Sequence, residues 1–278
     1  MGVNRELTKV RSWSCVAAAH LIKGTLFRIA RTAYVGAAVL GGLSGEGLSQ
    51  SSEVPLAAET CLSVNTDLSL GARLPRTAKR LKSGEPLKIV AIGSSSTVGL
   101  WVLRSAATYP EVMRQELLRI SPNARISVIN SGRIGDTIPD NLARFERDVF
   151  AYTPDLVVWQ LGTNDIAWGG HPDDLLRRRV TEGVKALKAN SGDVILMDLQ
   201  YAPSVLRSTH YLTMEAIITD VAKQEHVGLF SRFSLMRNSI DAGVSSGELV
   251  SWDGLHNTAD GYDCIGRALA RAILKSMH

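Results

Sequence analysis

Beyond residue 86 the apolar positions fall into short, nearly continuous runs separated by longer amphipathic stretches. Five runs are rich in β-branched residues: LKIVAIG (87–93), ISVINSG (126–132), DLVVWQLG (155–162), DVILMDLQ (193–200) and VGLFSRF (227–233). Helical periodicity fills the spaces near 107–120, 137–151, 173–190 and 209–225, and a last helix is expected near 260–276. Strands that are apolar on both faces are buried on both faces. Alternating with helices, they predict an α/β fold: three layers, α/β/α, around a five-stranded parallel sheet. Ligands of such sheets bind at the carboxyl ends of the strands. The segments that follow each strand are therefore where chemistry is expected.

The N-terminal part has a different pattern. Residues 1–31 carry six basic residues and one acidic residue, Glu6. An apolar run follows, AYVGAAVLGGLSG (33–45). It has the length of a signal-peptide core and is short of the ~20 residues a spanning helix needs. Residues 1–45 are thus expected to be an export signal, or else a membrane anchor or interfacial segment, with PLAAE near Ala58 as one cleavage point. Any membrane association would run through this segment alone. Residues 46–86, with Pro55, Pro75 and Pro86, read as a linker, and 87–278 as the folded domain.

Composition changes this picture little. The chain has 278 residues, 45% hydrophobic and 21% charged, as an ordinary globular protein does. Its net charge of +4 comes from the N-terminus, and the remaining residues sum to −1. No basic patch argues for a nucleic-acid partner. Of three cysteines, Cys15 lies in the N-terminal segment. An oxidising compartment would permit a Cys61–Cys264 disulfide; two free thiols are the alternative.

Four strand ends hold reactive residue types. Gly93-Ser94-Ser95-Ser96-Thr97 follows the first strand, and NSGRIGDT, with Gly132 and Gly135, the second. The third ends in GTND, Gly162 to Asp165, and WDGLHNTADGY, with Asp253 and His256, precedes the last helix. These are the parts of an acyl-transfer site. A serine hydroxyl needs a base within hydrogen-bond reach, and the base needs an orienting group. Asp253 and His256, three apart, suit a tight loop in which the carboxylate holds one ring nitrogen and the other faces a serine. Backbone N–H groups beside glycines, or an Asn side chain, can hold an oxyanion.

On these four blocks, GSSSTVG, GRIGDT, GTND and DGLH, the chain resembles the SGNH (GDSL-type) hydrolases over roughly residues 87–276. It is most similar to a proteobacterial subgroup whose first block is Gly-Ser-Ser-Ser-Thr, a likeness extending to LPRTAKRLKSGEPLKIVAIG and MDLQYAP. The resemblance implies a flavodoxin-like SGNH hydrolase fold. It implies Ser95 as nucleophile, His256 as base and Asp253 as its orienting group. Ser95 N–H, Gly135 N–H and the Asn164 side chain would form the oxyanion hole. Ser94 departs from the pattern, which has Asp there. Either neighbouring serine is a rival to Ser95.

Other residues have plainer readings. Ser94, Ser96 and Thr97 are expected to satisfy backbone N–H groups at a helix start, and Asp165 to order its loop. His171 and His210 read as surface or helix-start residues. Trp101, Trp168 and Tyr201 are candidates for lining a substrate pocket. No cluster has the ligand spacing of a metal site, and Gly93-x5-Gly99 lacks the Lys of a phosphate loop. No cofactor is called for. The expected activity is hydrolysis of a carboxylic ester, an acetyl group on a carbohydrate in the first instance, in an exported enzyme. A lipolytic esterase, thioesterase or acyltransferase using the same serine is the nearest alternative. A catalytically silent binding module is an alternative of another class.

Overall fold

The computed structural model describes residues 61–63, 66–168 and 172–277. The expected signal or anchor, 1–45, lies outside these residues, as does His171. Five parallel strands form one sheet: β1 (Leu87–Gly93), β2 (Ile126–Gly132), β3 (Leu156–Gln160), β4 (Asp193–Met197) and β5 (Gly228–Phe230). Their order is β2-β1-β3-β4-β5. Every residue of β3 is buried, and all of β1 except Lys88. β2 lies at an edge, where Ser127 is exposed and Ser131 and Gly132 are partly so.

The principal helices are α1 (Pro75–Ser83), α2 (Ser95–Val98), α3 (Tyr109–Ile120), α4 (Ile138–Ala143), α5 (Thr163–Trp168), α6 (Asp173–Asn190), α7 (Tyr211–Glu225), α8 (Arg232–Asp241) and α9 (Ala259–Lys275). α3 packs on α9, while α6 packs on α4 and α7. From β1 the chain crosses outward to β2, then back past β1 to β3. Right-handed crossovers running in opposite directions put their helices on opposite faces of the sheet. The result is the expected three-layer α/β/α fold. The reversal lies between β1 and β3, where the connections leaving neighbouring strands run to opposite faces, the place where sheets of this kind bind ligands.

The strands and long helices fall close to the sequence expectation, with three differences. β5 is three residues long, and α8 begins inside the stretch read as its continuation. The helix expected over 137–151 breaks into α4, a single turn Phe145–Asp148 and a 3₁₀ turn Phe150–Tyr152. The stretch read as a linker is built into the domain from Cys61 onward. Leu70 and Leu74 are core residues, and the Leu229 N–H donates to the Leu70 carbonyl at 2.9 Å. α1 then docks through two carboxylates at the amino ends of β3 and β4. Asp155 accepts from Arg76 Nε at 2.9 Å and Arg80 Nε at 3.0 Å, and Asp193 accepts from the Thr77 amide at 2.7 Å. The helix also rests Leu81 on the core, on a short stripe with buried Leu74 and Thr77. Its signals were Pro75 at the first turn and Gly84, left-handed, just past the end.

Cys61 and Cys264 are joined in a disulfide, with Cα atoms 6.0 Å apart. It ties the start of the folded unit to the middle of α9, and both residues are buried.

Candidate active site

Ser95 is the first residue of α2, directly after β1, and is buried apart from 6% of its surface. The turn that presents it is tight. A side chain on Gly93 would meet Thr97 Oγ1 and, at 2.8 Å, the Gln160 carbonyl. The hydroxyls of Ser94, Ser96 and Thr97 do not satisfy backbone N–H groups at the start of this helix, contrary to expectation. The Ser94 amide and hydroxyl both donate to Gln160 Oε1 at 3.0 Å, and Thr97 Oγ1 donates to the same oxygen at 3.2 Å. An amide oxygen from the end of β3 thus organises the serine turn. The hydrogen bonding around Ser94, left open by the missing Asp, is supplied by Gln160.

The Ser95 hydroxyl lies 2.8 Å from His256 Nε2. The other ring nitrogen, Nδ1, lies 2.6 Å from Asp253 Oδ2. The backbone makes this pairing local. The loop is pinched at its neck by the Ser251 amide on the His256 carbonyl, 2.7 Å, and by the Val250–Asn257 bridge. Within it, the Leu255 and His256 amides donate to Asp253 Oδ1 at 2.9 and 3.0 Å. Burial pushes the Asp253 carboxyl up. The His256 ring, these two amides and the Trp101 indole more than reverse that and hold it well below the usual carboxylate range. An ionised Asp253 only accepts, so Nδ1 carries the proton and Nε2 is left to accept from Ser95.

Gly135 sits in the exposed turn after β2 with φ +84°, and nothing approaches the position of a Cβ. Its conformation, not crowding, is what calls for glycine. Asn164, buried in α5, donates from Nδ2 to the Asp136 carbonyl at 2.8 Å. Its amide therefore lies beside the Gly135 turn, with a second N–H to offer. Asp165 orders this region as expected: its carboxylate accepts from the Ile138 amide, the first residue of α4, at 3.0 Å.

Three organising residues were not identified from the sequence. Gln160 is one. Gln200, after β4, accepts from Thr163 Oγ1 at 2.8 Å and donates to the Leu255 carbonyl at 3.2 Å, so it bridges the Asn164 and His256 segments. Arg144, almost fully buried, holds Asp136 at 2.6 Å, the Ser131 carbonyl at 2.7 Å and the Gly93 carbonyl at 3.0 Å. Gln160 and Gln200 act across 66 and 55 residues, and Arg144 reaches Gly93 across 51, where local pattern carries no signal.

The aromatic candidates divide. Trp101 is half exposed, its indole N–H donates to Asp253 Oδ2 at 2.7 Å, and its ring lies 5.2 Å from that of exposed Trp252. Tyr201, partly buried in the segment after β4, lies edge-on to Phe233 of α8 at 5.1 Å. The Trp168 side chain lies outside the described residues. His210 is exposed at the start of α7. Among the described residues no group of three or more His, Cys, Asp or Glu is arranged to hold a metal ion.

The Non-GDSL lipase-like family matches residues 60–278. An arylesterase of Vibrio mimicus is 23% identical over 190 residues, 68% of this chain and 90% of that protein. Among solved structures, an acetylxylan esterase from Geobacillus stearothermophilus has a TM-score of 0.57 at 23% identity, covering 67% of this chain and 94% of its own. A two-domain esterase active on acetylated mannans has a TM-score of 0.65 at 19% identity, covering 77% of this chain and 57% of its own. At these identities the structural likenesses establish the fold.

Proposed function

The chain belongs to the Non-GDSL lipase-like family and is an enzyme acting on ester bonds; we propose that it does so through an acyl-serine on Ser95, and that its substrate is a short acyl ester, acetyl on a carbohydrate. The observation that carries the mechanism is the hydrogen-bonded series Ser95 Oγ, His256 Nε2, His256 Nδ1, Asp253 Oδ2, with links of 2.8 and 2.6 Å.

In this reading Ser95 Oγ attacks the ester carbonyl carbon as His256 Nε2 takes its proton. Asp253 stabilises the imidazolium that forms. The oxyanion accepts from the Ser95 and Gly135 amides and from Asn164 Nδ2. As the intermediate collapses, the C–O bond to the alcohol breaks and His256 returns its proton to the leaving oxygen. Water, deprotonated by His256, then attacks the acyl-serine and releases the acid. The groups that hold and move protons all come from the chain.

The substrate proposal draws on two things. Neighbours in structure act on acetylated xylan and mannan. The exposed rings of Trp101 and Trp252 stand beside Asp253, and flat aromatic faces of this kind suit the apolar face of a sugar. We also place the chain in the subgroup with a Gly-Ser-Ser-Ser-Thr first block, on residues 93–97, and outside the cytoplasm. The basic and apolar N-terminal pattern and the Cys61–Cys264 disulfide support export. Steady-state hydrolysis of p-nitrophenyl esters from acetate to long chains tests the acyl preference. Activity should fall with chain length. Activity that rises with chain length would move the substrate to lipids, and acyl transfer to added alcohols without hydrolysis would make the enzyme a transferase.

A further inference from the structure

We propose that Trp101 is a positioning residue for the Ser95–His256–Asp253 series: its indole N–H fixes the Asp253 carboxylate and locks the histidine loop to the nucleophile turn. The inference rests on the roles proposed for Ser95, His256 and Asp253. The Asp253 carboxylate accepts four hydrogen bonds, two on each oxygen. Oδ1 takes the Leu255 and His256 amides at 2.9 and 3.0 Å, and Oδ2 takes the His256 ring and the Trp101 indole at 2.6 and 2.7 Å. Three of the four donors belong to the carboxylate's own loop. The indole alone comes from elsewhere, 152 residues away in sequence and three residues past the end of α2, which begins at Ser95.

The two amides hold one oxygen and leave the plane of the carboxylate to be set by whatever holds the other. That oxygen is the one that orients the imidazole. An acceptor shared between His256 Nδ1 and the indole is fixed from two directions, so the ring is aimed at Ser95 even where the loop is wet.

The backbone supports the same conclusion. Trp101 has φ +73°, a left-handed conformation that a bulky side chain adopts only when its surroundings hold it there. It follows Gly99, the left-handed cap of α2, so the chain turns back twice within three residues and brings the indole to Asp253. An aromatic residue needed only to cover surface would not require this. Half of Trp101 remains exposed, so one residue offers a ring face to solvent and an N–H to the catalytic carboxylate.

The two roles separate by substitution. Trp101→Phe keeps the ring face and removes the N–H, and Trp101→His places a ring Nε2–H near the indole nitrogen's position. The probe is the second-order rate of covalent labelling by a fluorophosphonate at about pH 8, which needs no knowledge of the substrate. Trp101→Phe should label about tenfold more slowly, the value of one hydrogen bond to a charged group. In p-nitrophenyl acetate hydrolysis it should lower kcat with KM unchanged, and Trp101→His should recover part of both losses. In an Asp253→Asn background, Trp101→Phe should add no further loss. An unchanged labelling rate in Trp101→Phe, or a loss that simply multiplies with that of Asp253→Asn, would overturn the proposal. Folding of each variant is checked by its thermal midpoint, and a Trp101→Phe that does not fold leaves Trp101→His to decide: a rate equal to that of Asp253→Asn would then overturn it. If Asp253→Asn itself labels at the wild-type rate, the underlying reading of the site has failed instead.

Discussion

Replacing Arg144 with alanine should cost both stability and turnover, for a reason that can be worked from its contacts. The guanidinium is almost fully buried and makes four hydrogen bonds: Nε to Asp136 at 2.6 Å, Nη1 to the Ser131 carbonyl at 2.7 Å and to Asp148 at 3.1 Å, and Nη2 to the Gly93 carbonyl at 3.0 Å. Two of the partners survive its loss. Asp148 keeps Arg147 at 2.6 Å, and the Gly93 carbonyl keeps the Arg133 amide at 3.0 Å. Asp136 loses its cation and retains only Asn141 among its side-chain donors in this network, and the Ser131 carbonyl loses its guanidinium donor. Breaking a fully buried pair costs about 3–5 kcal/mol, and Asp136 keeps some solvent access, so the expected loss is about 2–4 kcal/mol. For a domain of this size that is a fall of about 5–15 °C in Tm. Arg144→Lys should recover less than half, since a single ammonium nitrogen cannot reach acceptors spread around a planar guanidinium. The loop that carries Gly135 and Asp136 would also be released, and with it the carbonyl that holds Asn164. kcat for acetate ester hydrolysis should therefore fall more than the KM rises. Thermal melts and steady-state kinetics on the two variants test this. An Arg144→Ala protein that melts within about 2 °C of wild type would mean that this buried network contributes little to the fold.

Three further outcomes are expected. Asn164→Ala should lower kcat by about 10²–10³-fold with little change in KM, as loss of an oxyanion donor does; a change below about fivefold in steady-state hydrolysis would remove Asn164 from the oxyanion hole. Glu215 is pushed up to about 9, by burial first and then by the neighbouring Asp198 carboxyl. A carboxyl raised in the folded state contributes stability that is full below its unfolded value near 4.5 and is lost as pH rises toward 9, so urea midpoints should decline over that window and Glu215→Gln should flatten the decline; an unaltered decline in the variant would contradict the assignment. Reducing the Cys61–Cys264 disulfide, which closes a separation of 203 residues, should cost about 2–5 kcal/mol, read as a lower Tm in reductant, whereas an unchanged Tm would mean that the bond adds nothing to the fold.

What could be read from the sequence follows from what sets it locally. The buried strands of a parallel sheet are continuous apolar runs, and β1 to β4 were visible for that reason. The residues of the site stand at strand ends within short blocks, which narrowed the candidates to GSSST, GTND and DGLH, and the resemblance to the SGNH hydrolases then singled out Ser95, Asn164 and His256. Boundaries failed where a strand and a helix share apolar residues without a turn signal between them, as at β5 and α8. α1 was not legible because its apolar side, Leu74 and Leu81, is short and set among basic residues, and much of its docking runs through Asp155 and Asp193. The polar scaffold of the site was the least legible part. Gln160 reaches Ser94 across 66 residues, Gln200 reaches Leu255 across 55, and Trp101 reaches Asp253 across 152. Each is an ordinary residue in its own segment and acquires its role only when the sheet places the segments together.

The proposed chemistry stands on Ser95 as the nucleophile and His256 as the base that activates it. Treating the protein with a fluorophosphonate and locating the adduct by peptide mass spectrometry tests this most directly, with Ser95→Ala and His256→Ala beside it. The expected result is a single adduct on Ser95, absent in Ser95→Ala together with ester hydrolysis, and formed far more slowly in His256→Ala. An adduct on Ser94 or Ser96, or hydrolysis that survives in Ser95→Ala, would contradict it.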